Sequence, residues 1–276
     1  MVTPTYTFAD GPTVNRLGYG AMRLTGQPGN FGRYPDWDEG KRVLRRAVER
    51  GVQHIDTARA YGPGWNEELV AEALHPYPAD LLIATKGGIE KNAPAPAGIH
   101  LDGSPAALRT HVDESLQRLK LDTIGLYYLH RPDPQVDIAE SVGALAELQR
   151  AGKIRHIGVS NVSVEQLAAA RSVATVAAVQ NRFDPINGGD TDVLDVVAAA
   201  GIAFVPWGPL GTDPFERVAP VASEDAVAGE PDATPVQRAL HALLRRSDVV
   251  LPIPGTTSIE HLDENLDALR TLPSGP

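Results

Sequence analysis

The stretch that decides the fold is Gly51–Leu69, "GVQHIDTARAYGPGWNEEL". Gly51 closes the helical pattern before it, where a left-handed residue ends a helix. A short apolar run, Gln53–Asp56, follows within three residues and ends in a carboxylate. Tyr61 comes five residues later, then Gly62-Pro63-Gly64 and a new helical pattern from Asn66. This is a helix, a tight return, a strand with a polar tip, a loop and a helix. Such a unit belongs to a parallel sheet whose crossovers are helices.

Working outward, the same unit recurs. Strands are predicted at Arg16–Tyr19, Gln53–Asp56, Leu81–Lys86, Ile124–His130, Ile154–Ser160, Val176–Gln180, Ile202–Trp207 and Val249–Pro252. Helices are predicted at Asp38–Arg50, Asn66–Leu74, Pro105–Leu119, Ile138–Ala151, Val164–Arg171, Asp192–Ala200, Pro235–Arg246 and Ile259–Leu269. Ser104-Pro105, Ser163 with Gln166 and Thr234-Pro235 carry helix-start chemistry. Gly152 and Gly201 repeat the role of Gly51. Strands apolar on both faces, such as "LLIAT", belong to a sheet covered on both sides. Eight units favour a closed (β/α)8 TIM barrel of the α/β class over a doubly wound open sheet. The chain, 1–276, reads as one barrel domain. "TYTFADGPTV" reads as a hairpin with an Asp10-Gly11 turn, placed to plug the barrel's bottom. Gly87–Gly103 and Gly208–Ala233 read as long irregular loops at strand C-terminal ends, where barrel sites are built.

The bulk numbers narrow the function. With 25 basic and 35 acidic residues the net charge is −10, and no basic stripe appears, so no nucleic-acid or anionic-membrane partner is expected. There is no cysteine, which excludes disulfides and thiolate metal sites. No signal peptide and no run of 18 apolar residues is read, so the expected location is cytoplasmic. The expected partner is a small molecule, bound by a monomer or weak homo-oligomer.

The strand tips carry the chemistry. They are Asp56, Lys86, His130, Ser160-Asn161, Gln180 and Trp207. Each has an ordinary reading alone: a helix cap, a solvent-seeking ammonium, a structural histidine. Barrel closure brings them within reach of one another. A free tyrosine has a pKa near 10, and a nearby ammonium lowers it. A buried Lys86 needs a counter-charge, which Asp56 supplies. Tyr61, Lys86 and Asp56 thus form a candidate general acid with its tuning pair, and His130 is placed to orient a substrate oxygen.

The pattern resembles the aldo-keto reductase superfamily. The residues that carry it are "GxxHIDTAxxYGxGxxEE" (Gly51–Glu68), "ATK" ending at Lys86, "LYYLHRPDP" (Leu126–Pro134), "GKIRHIGVSN" (Gly152–Asn161), "PWGPLG" (Pro206–Gly211) and "IPGTTSIEHLDENL" (Ile253–Leu266). They cover nearly the whole chain. The opening "NRLGYGAMRL" is similar to a bacterial subgroup with pyridoxal-reductase-like members. The resemblance implies a barrel that binds NADPH, with NADH possible, and reduces an aldehyde or ketone. Tyr61 is then the general acid, Lys86 and Asp56 its tuning pair, and His130 the carbonyl-orienting residue. It implies that Gly20 and Ala21 flank the nicotinamide, that Ser160, Asn161 and Gln180 meet its amide, and that Trp207 stacks on the ring. Pro209, Leu210 and Gly211 would take the pyrophosphate. Pro254, Gly255, Thr256, Thr257, His261, Glu264 and Asn265 would surround the adenosine end. Gly255 and His261 stand where relatives often carry a Lys and an Arg for the 2′-phosphate, so any phosphate is expected on the N-terminus of the last helix. Phe31, Tyr34, Trp37, Trp65 and Arg131 are candidates for the substrate pocket. Two other readings are a non-catalytic cofactor-binding regulatory subunit and a barrel metallohydrolase using His54, Asp56 and His130; no metal site is expected.

Overall fold

A computed structural model describes residues 3–211 and 232–271. Seven parallel strands lie in chain order: β1 (Tyr19–Gly20), β2 (His54–Asp56), β3 (Leu82–Gly87), β4 (Ile124–Leu129), β5 (Ile154–Ser160), β6 (Val176–Gln180) and β7 (Ala203–Phe204). The predicted eighth strand, Val249–Pro252, forms no regular ladder, yet it closes the barrel. Phe204 N–H donates to Val249 O (2.7 Å), Leu251 N–H to Phe204 O (2.8 Å), and Gly18 N–H to Pro252 O (3.0 Å). Below this seam the buried Arg16 guanidinium donates to Val250 O (3.0 Å) and Leu244 O (2.8 Å). The sheet is therefore a (β/α)8 barrel.

The helices alternate with the strands: α1 (Trp37–Glu49), α2 (Trp65–Leu74), α3 (Pro105–Leu119), α4 (Ile138–Arg150), α5 (Val164–Val173), α6 (Thr191–Ala199), α7 (Pro235–Arg246) and α8 (Ile259–Asp267). Ser163 with Gln166, and Thr234 with Gln237, form full capping boxes. Gly51, Gly152 and Gly201 have φ of 89°, 77° and 67°, as helix exits require. Among the described residues no helix is long and apolar enough to cross a membrane.

The period of two along each strand divides the core. Outward residues such as Ile83, Tyr127, Leu129, Val179 and Phe204 pack under the helices. Inward residues Leu82, Ala84, Leu126, Tyr128, Ala178, Ala203, Val205 and Leu251 fill the barrel. Phe8 and Val14 join this inner cluster, so the hairpin Thr5–Thr7/Thr13–Asn15 plugs the bottom. Its turn differs from a two-residue Asp-Gly turn. Asp10, not Gly11, takes the left-handed conformation (φ 54°), and Gly11 N–H closes onto Phe8 O. Gly11 is needed for space: a Cβ there would lie 2.5 Å from His156 Nε2.

The Gly87–Gly103 loop is not irregular. It folds into an antiparallel hairpin, Ile89–Lys91 with Ile99–Leu101, beside the barrel mouth. A smaller hairpin, Phe183–Asp184 with Gly188–Gly189, follows β6. Most of Gly208–Ala233, residues 212–231, lies outside the described residues.

Candidate active site

The inward rows of the barrel are apolar below and polar at the top. In β3 the row is Leu82, Ala84, Lys86; in β4 and just past it, Leu126, Tyr128, His130; in β6, Ala178, Gln180. Register aligns them, with Asp56 opposite Ala84, Lys86 opposite Tyr128 and Gln180 opposite Ser160. The polar residues are thus the last inward positions before each strand yields to a loop.

Lys86 is fully buried, and its ammonium is well partnered. Nζ donates to Asp56 Oδ1 at 2.5 Å, to Thr57 O at 2.9 Å and to Tyr61 Oη at 3.3 Å. Asp56 Oδ2 accepts from Gln180 Nε2 at 2.8 Å, so both carboxylate oxygens are engaged. Burial favours the neutral amine at Lys86, but Asp56 and Tyr61 outweigh it and hold its pKa above the ordinary lysine value. At Tyr61 the expected order is reversed. Burial raises the phenol more than Lys86 lowers it, so its pKa lies above that of a free tyrosine. His130 is pushed well below the ordinary histidine range by burial and by Lys86, Arg131 and Lys91, so its imidazole is neutral. Its ring meets Tyr61 edge-on at 5.9 Å, and its Nδ1 has no protein partner.

Asn66 positions Tyr61, and sequence reading missed it. This buried residue of α2 takes a hydrogen bond from Thr57 Oγ1 (2.6 Å) and donates to Ala21 O and Leu24 O (2.9 Å each). It ties the loop after β2 to the loop after β1. The only signal available was an amide at a helix start, which reads equally as a cap.

A cavity opens over Tyr61. Of the predicted residues, Gly20, Asp56, Tyr61, His130, Arg131, Ser160, Asn161, Gln180, Trp207, Pro209 and Gly255 line it, with Lys86 off the wall and bonded to Asp56. Met22, Asn30, Ile89, Lys91 and Ile99 line it without having been singled out. Asn161 is left-handed (φ 58°); its amide donates to His130 O (3.1 Å) and Ser160 Oγ (2.9 Å), and its Oδ1 accepts from Trp207 Nε1 (3.1 Å). Gly255 allows two strand ends to meet, since a Cβ there would stand 2.5 Å from Gly20 O.

Other predicted positions lie off the cavity wall. Ala21, Leu210 and Pro254 adjoin wall residues in sequence without lining it, and Gly211 lies two residues past Pro209. Thr256, Thr257, His261, Glu264 and Asn265 continue from Gly255 into α8. There Thr256 O accepts from Tyr19 Oη, and His261 N–H bonds the Ser258 cap. Four aromatic candidates are corrected, Tyr34 among them, since it too stays off the wall. Trp37 is buried at the start of α1, its N–H donates to Glu72 (2.7 Å), and it packs edge-on against Trp65. Trp65 is exposed, and Phe31 also stays off the wall. Among the described residues no three His, Asp or Glu side chains converge as metal ligands.

A closed parallel barrel with a ligand-sized cavity at the C-terminal mouth, built on a buried Lys–Asp pair beneath a tyrosine, is an α/β-barrel of the enzyme type. The chain belongs to the aldo/keto reductase family, which it matches over residues 16–274. It is 41% identical to pyridoxine 4-dehydrogenase of Escherichia coli, over 97% of this chain and 93% of that protein. In structure it is similar to the glycerol dehydrogenase of Gluconobacter oxydans (TM-score 0.81, 26% identity, 97% and 90% of the two chains). It is also similar to an aldo-keto reductase of Klebsiella pneumoniae in complex with NADPH (TM-score 0.77, 25% identity, 100% and 92%). The chain is thus an oxidoreductase of a family whose general reaction is NADP-dependent carbonyl reduction.

Proposed function

We propose that this protein reduces an aldehyde or ketone with NADPH, Tyr61 acting as the general acid. The observation that carries the reading is the buried ammonium of Lys86, held between Asp56 Oδ1 and Tyr61 Oη. When bound, the cofactor supplies a hydride to the carbonyl carbon. The cavity suits it. Ser160, Asn161 and Gln180 offer amide-binding groups beside the Trp207 ring, and these four would hold the nicotinamide end. Pro209–Gly211 would take the pyrophosphate. Gly255, Thr256 and Thr257, with the first turn of α8, would take the adenosine end.

Tyr61 carries its proton at neutral pH and gives it to the carbonyl oxygen as negative charge grows there. The phenolate left behind faces Lys86 at 3.3 Å, so the site stabilises the deprotonated acid where it forms. Asp56 and Gln180 fix the ammonium in place and leave it little freedom to turn away. His130 is neutral and lines the cavity, so it would orient the oxygen by a hydrogen bond without adding charge.

The experiment follows absorbance of the reduced nicotinamide with a panel of aldehydes and ketones, for the wild type and for Tyr61→Phe. A positioned general acid is worth about 10²–10⁴-fold, so the variant should lose turnover on that scale while its NADPH affinity changes by only a few-fold. Retained turnover sinks the assignment of Tyr61. Equal or better catalytic efficiency with NADH overturns the cofactor preference.

A further inference from the structure

The chain carries a net charge of −10, yet the substrate side of its cavity is positive. Asp56 is the one carboxylate on the described wall, and it is neutralised by Lys86. Three wall cations remain: Arg23 beside Gly255, at the end where the adenosine would lie, and Lys91 and Arg131. Lys91 and Arg131 line the same cavity as Tyr61 and His130, and Arg131 directly follows His130 in the chain.

Lys91 is the more telling of the two. It is 9% exposed, at the end of the first strand of the mouth hairpin. Its Nζ donates to Gly29 O and Asn30 O, each at 2.7 Å. Asn30 O also accepts from Gly62 N–H (3.1 Å), which places the ammonium one hydrogen bond from the turn that carries Tyr61. An ammonium has three donors, and two are used. No carboxylate answers the charge among the described residues. Its neighbour Glu90 points to the other face of the strand, toward Arg59 (3.1 Å) and His111 (2.7 Å). A buried cation without a counter-charge is costly, and the cost shows as a pKa lowered to about 8 by burial. Arg131 is exposed at the rim and forms no ion pair among the described residues, with a guanidinium suited to bidentate oxyanion contact.

We propose that the substrate of this site is an anionic carbonyl compound, whose carboxylate or phosphate is received by Lys91 and Arg131. The proposal rests on the carbonyl-reductase reading above. On that reading the cofactor's own phosphates would lie along Pro209–Gly211 and α8, away from Lys91 and Arg131 in the chain. A compact oxyanion takes the third Lys91 donor, restores the missing counter-charge, and leaves the carbonyl facing Tyr61 and His130.

The test uses two matched pairs, butanal with 4-oxobutanoate and glyceraldehyde with glyceraldehyde 3-phosphate, in the wild type, Lys91→Met and Arg131→Met. The expected result is a preference for the anionic member of at least one pair of about tenfold or more in kcat/KM, read mainly as a lower KM. That ratio should fall toward one in each variant. The pair that shows the preference distinguishes a carboxylate from a phosphate. A Lys91 that only clamps the Gly29–Asn30 backbone would depress both members of a pair together. Arg131→Met alters an exposed side chain and keeps the test open if Lys91→Met fails to fold. Preference for the neutral member in both pairs, or a ratio unchanged in both variants, overturns the proposal. If none of the four compounds is reduced, the carbonyl-reductase reading falls and takes this one with it. If the neutral compounds turn over without charge preference, only this one falls.

Discussion

The phenol of Tyr61 keeps its proton because burial weighs more than the neighbouring ammonium. That ordering suits reduction, where the phenol must arrive protonated. A pH profile follows from it. The kcat/KM for reduction of a neutral aldehyde should show no Tyr61 titration from about pH 6 to about pH 9, because the phenol titrates above the free tyrosine value of about 10. The reverse reaction, which needs the phenolate, should rise with pH across the same window. A reduction profile falling with an apparent pKa near 7 or 8, and falling alike in Lys91→Met, would show that the ammonium of Lys86, not burial, dominates at Tyr61. Lys86 and Asp56 were legible because strand tips can be found by period and register. The sign of the Tyr61 shift was not, because sequence names the neighbours of a group and not how much water they exclude. The aromatic candidates failed for a related reason. Trp37 is a good pocket residue by type, but it opens α1, where its N–H meets Glu72 and its ring packs on Trp65.

Among the elements, β5 shows how tightly the barrel interior is matched. Gly158 lies opposite Tyr128 in the β4–β5 register. A Cβ at Gly158 would come within 2.3 Å of the Tyr128 ring. Gly158→Ala should therefore cost about 1–3 kcal/mol, as overpacking does. Urea unfolding measures it, and a loss below about 0.5 kcal/mol would mean the ring can move aside. The elements were legible unequally. Strands apolar on both faces, such as Ile124–Leu129, and helices with capping boxes announce themselves. The mouth hairpin did not, because "GGIEKNAPAPAGIHL" is rich in turn-forming residues and its strands are three residues long. Lys91 was hidden with it. The closing segment Val249–Pro252 was found by its apolar run, though it pairs through scattered hydrogen bonds rather than a ladder.

For the molecule as a whole, His54 sets an acid limit. It is fully buried one layer below Asp56, with both ring nitrogens unpartnered, and its pKa is lowered to about 4, chiefly by burial. The unfolded chain takes up that proton near pH 6.5, and the folded one refuses it until about pH 4. The folded state therefore holds its full share of stability above about pH 6.5 and loses it as pH falls toward 4, by about 3 kcal/mol in all. His54→Gln removes the titrating group. Its urea midpoint should drop less than the wild type's between pH 7 and pH 4.5; parallel drops in the two proteins would clear His54 of the effect.

The seam between Gly18, Phe204 and Val249–Pro252 has a consequence for how the protein is made. Synthesis runs from the N-terminus, so the first and seventh strands leave the ribosome long before the segment that joins them. Until residue 252 emerges, the first and seventh strands lack the segment that joins them, and two borders of the sheet have no partner. The Arg16 side chain waits through the same interval for the carbonyls of Leu244 and Val250. Barrel closure thus waits for the Val249–Pro252 segment, and the site becomes whole only when the two ends of the barrel meet.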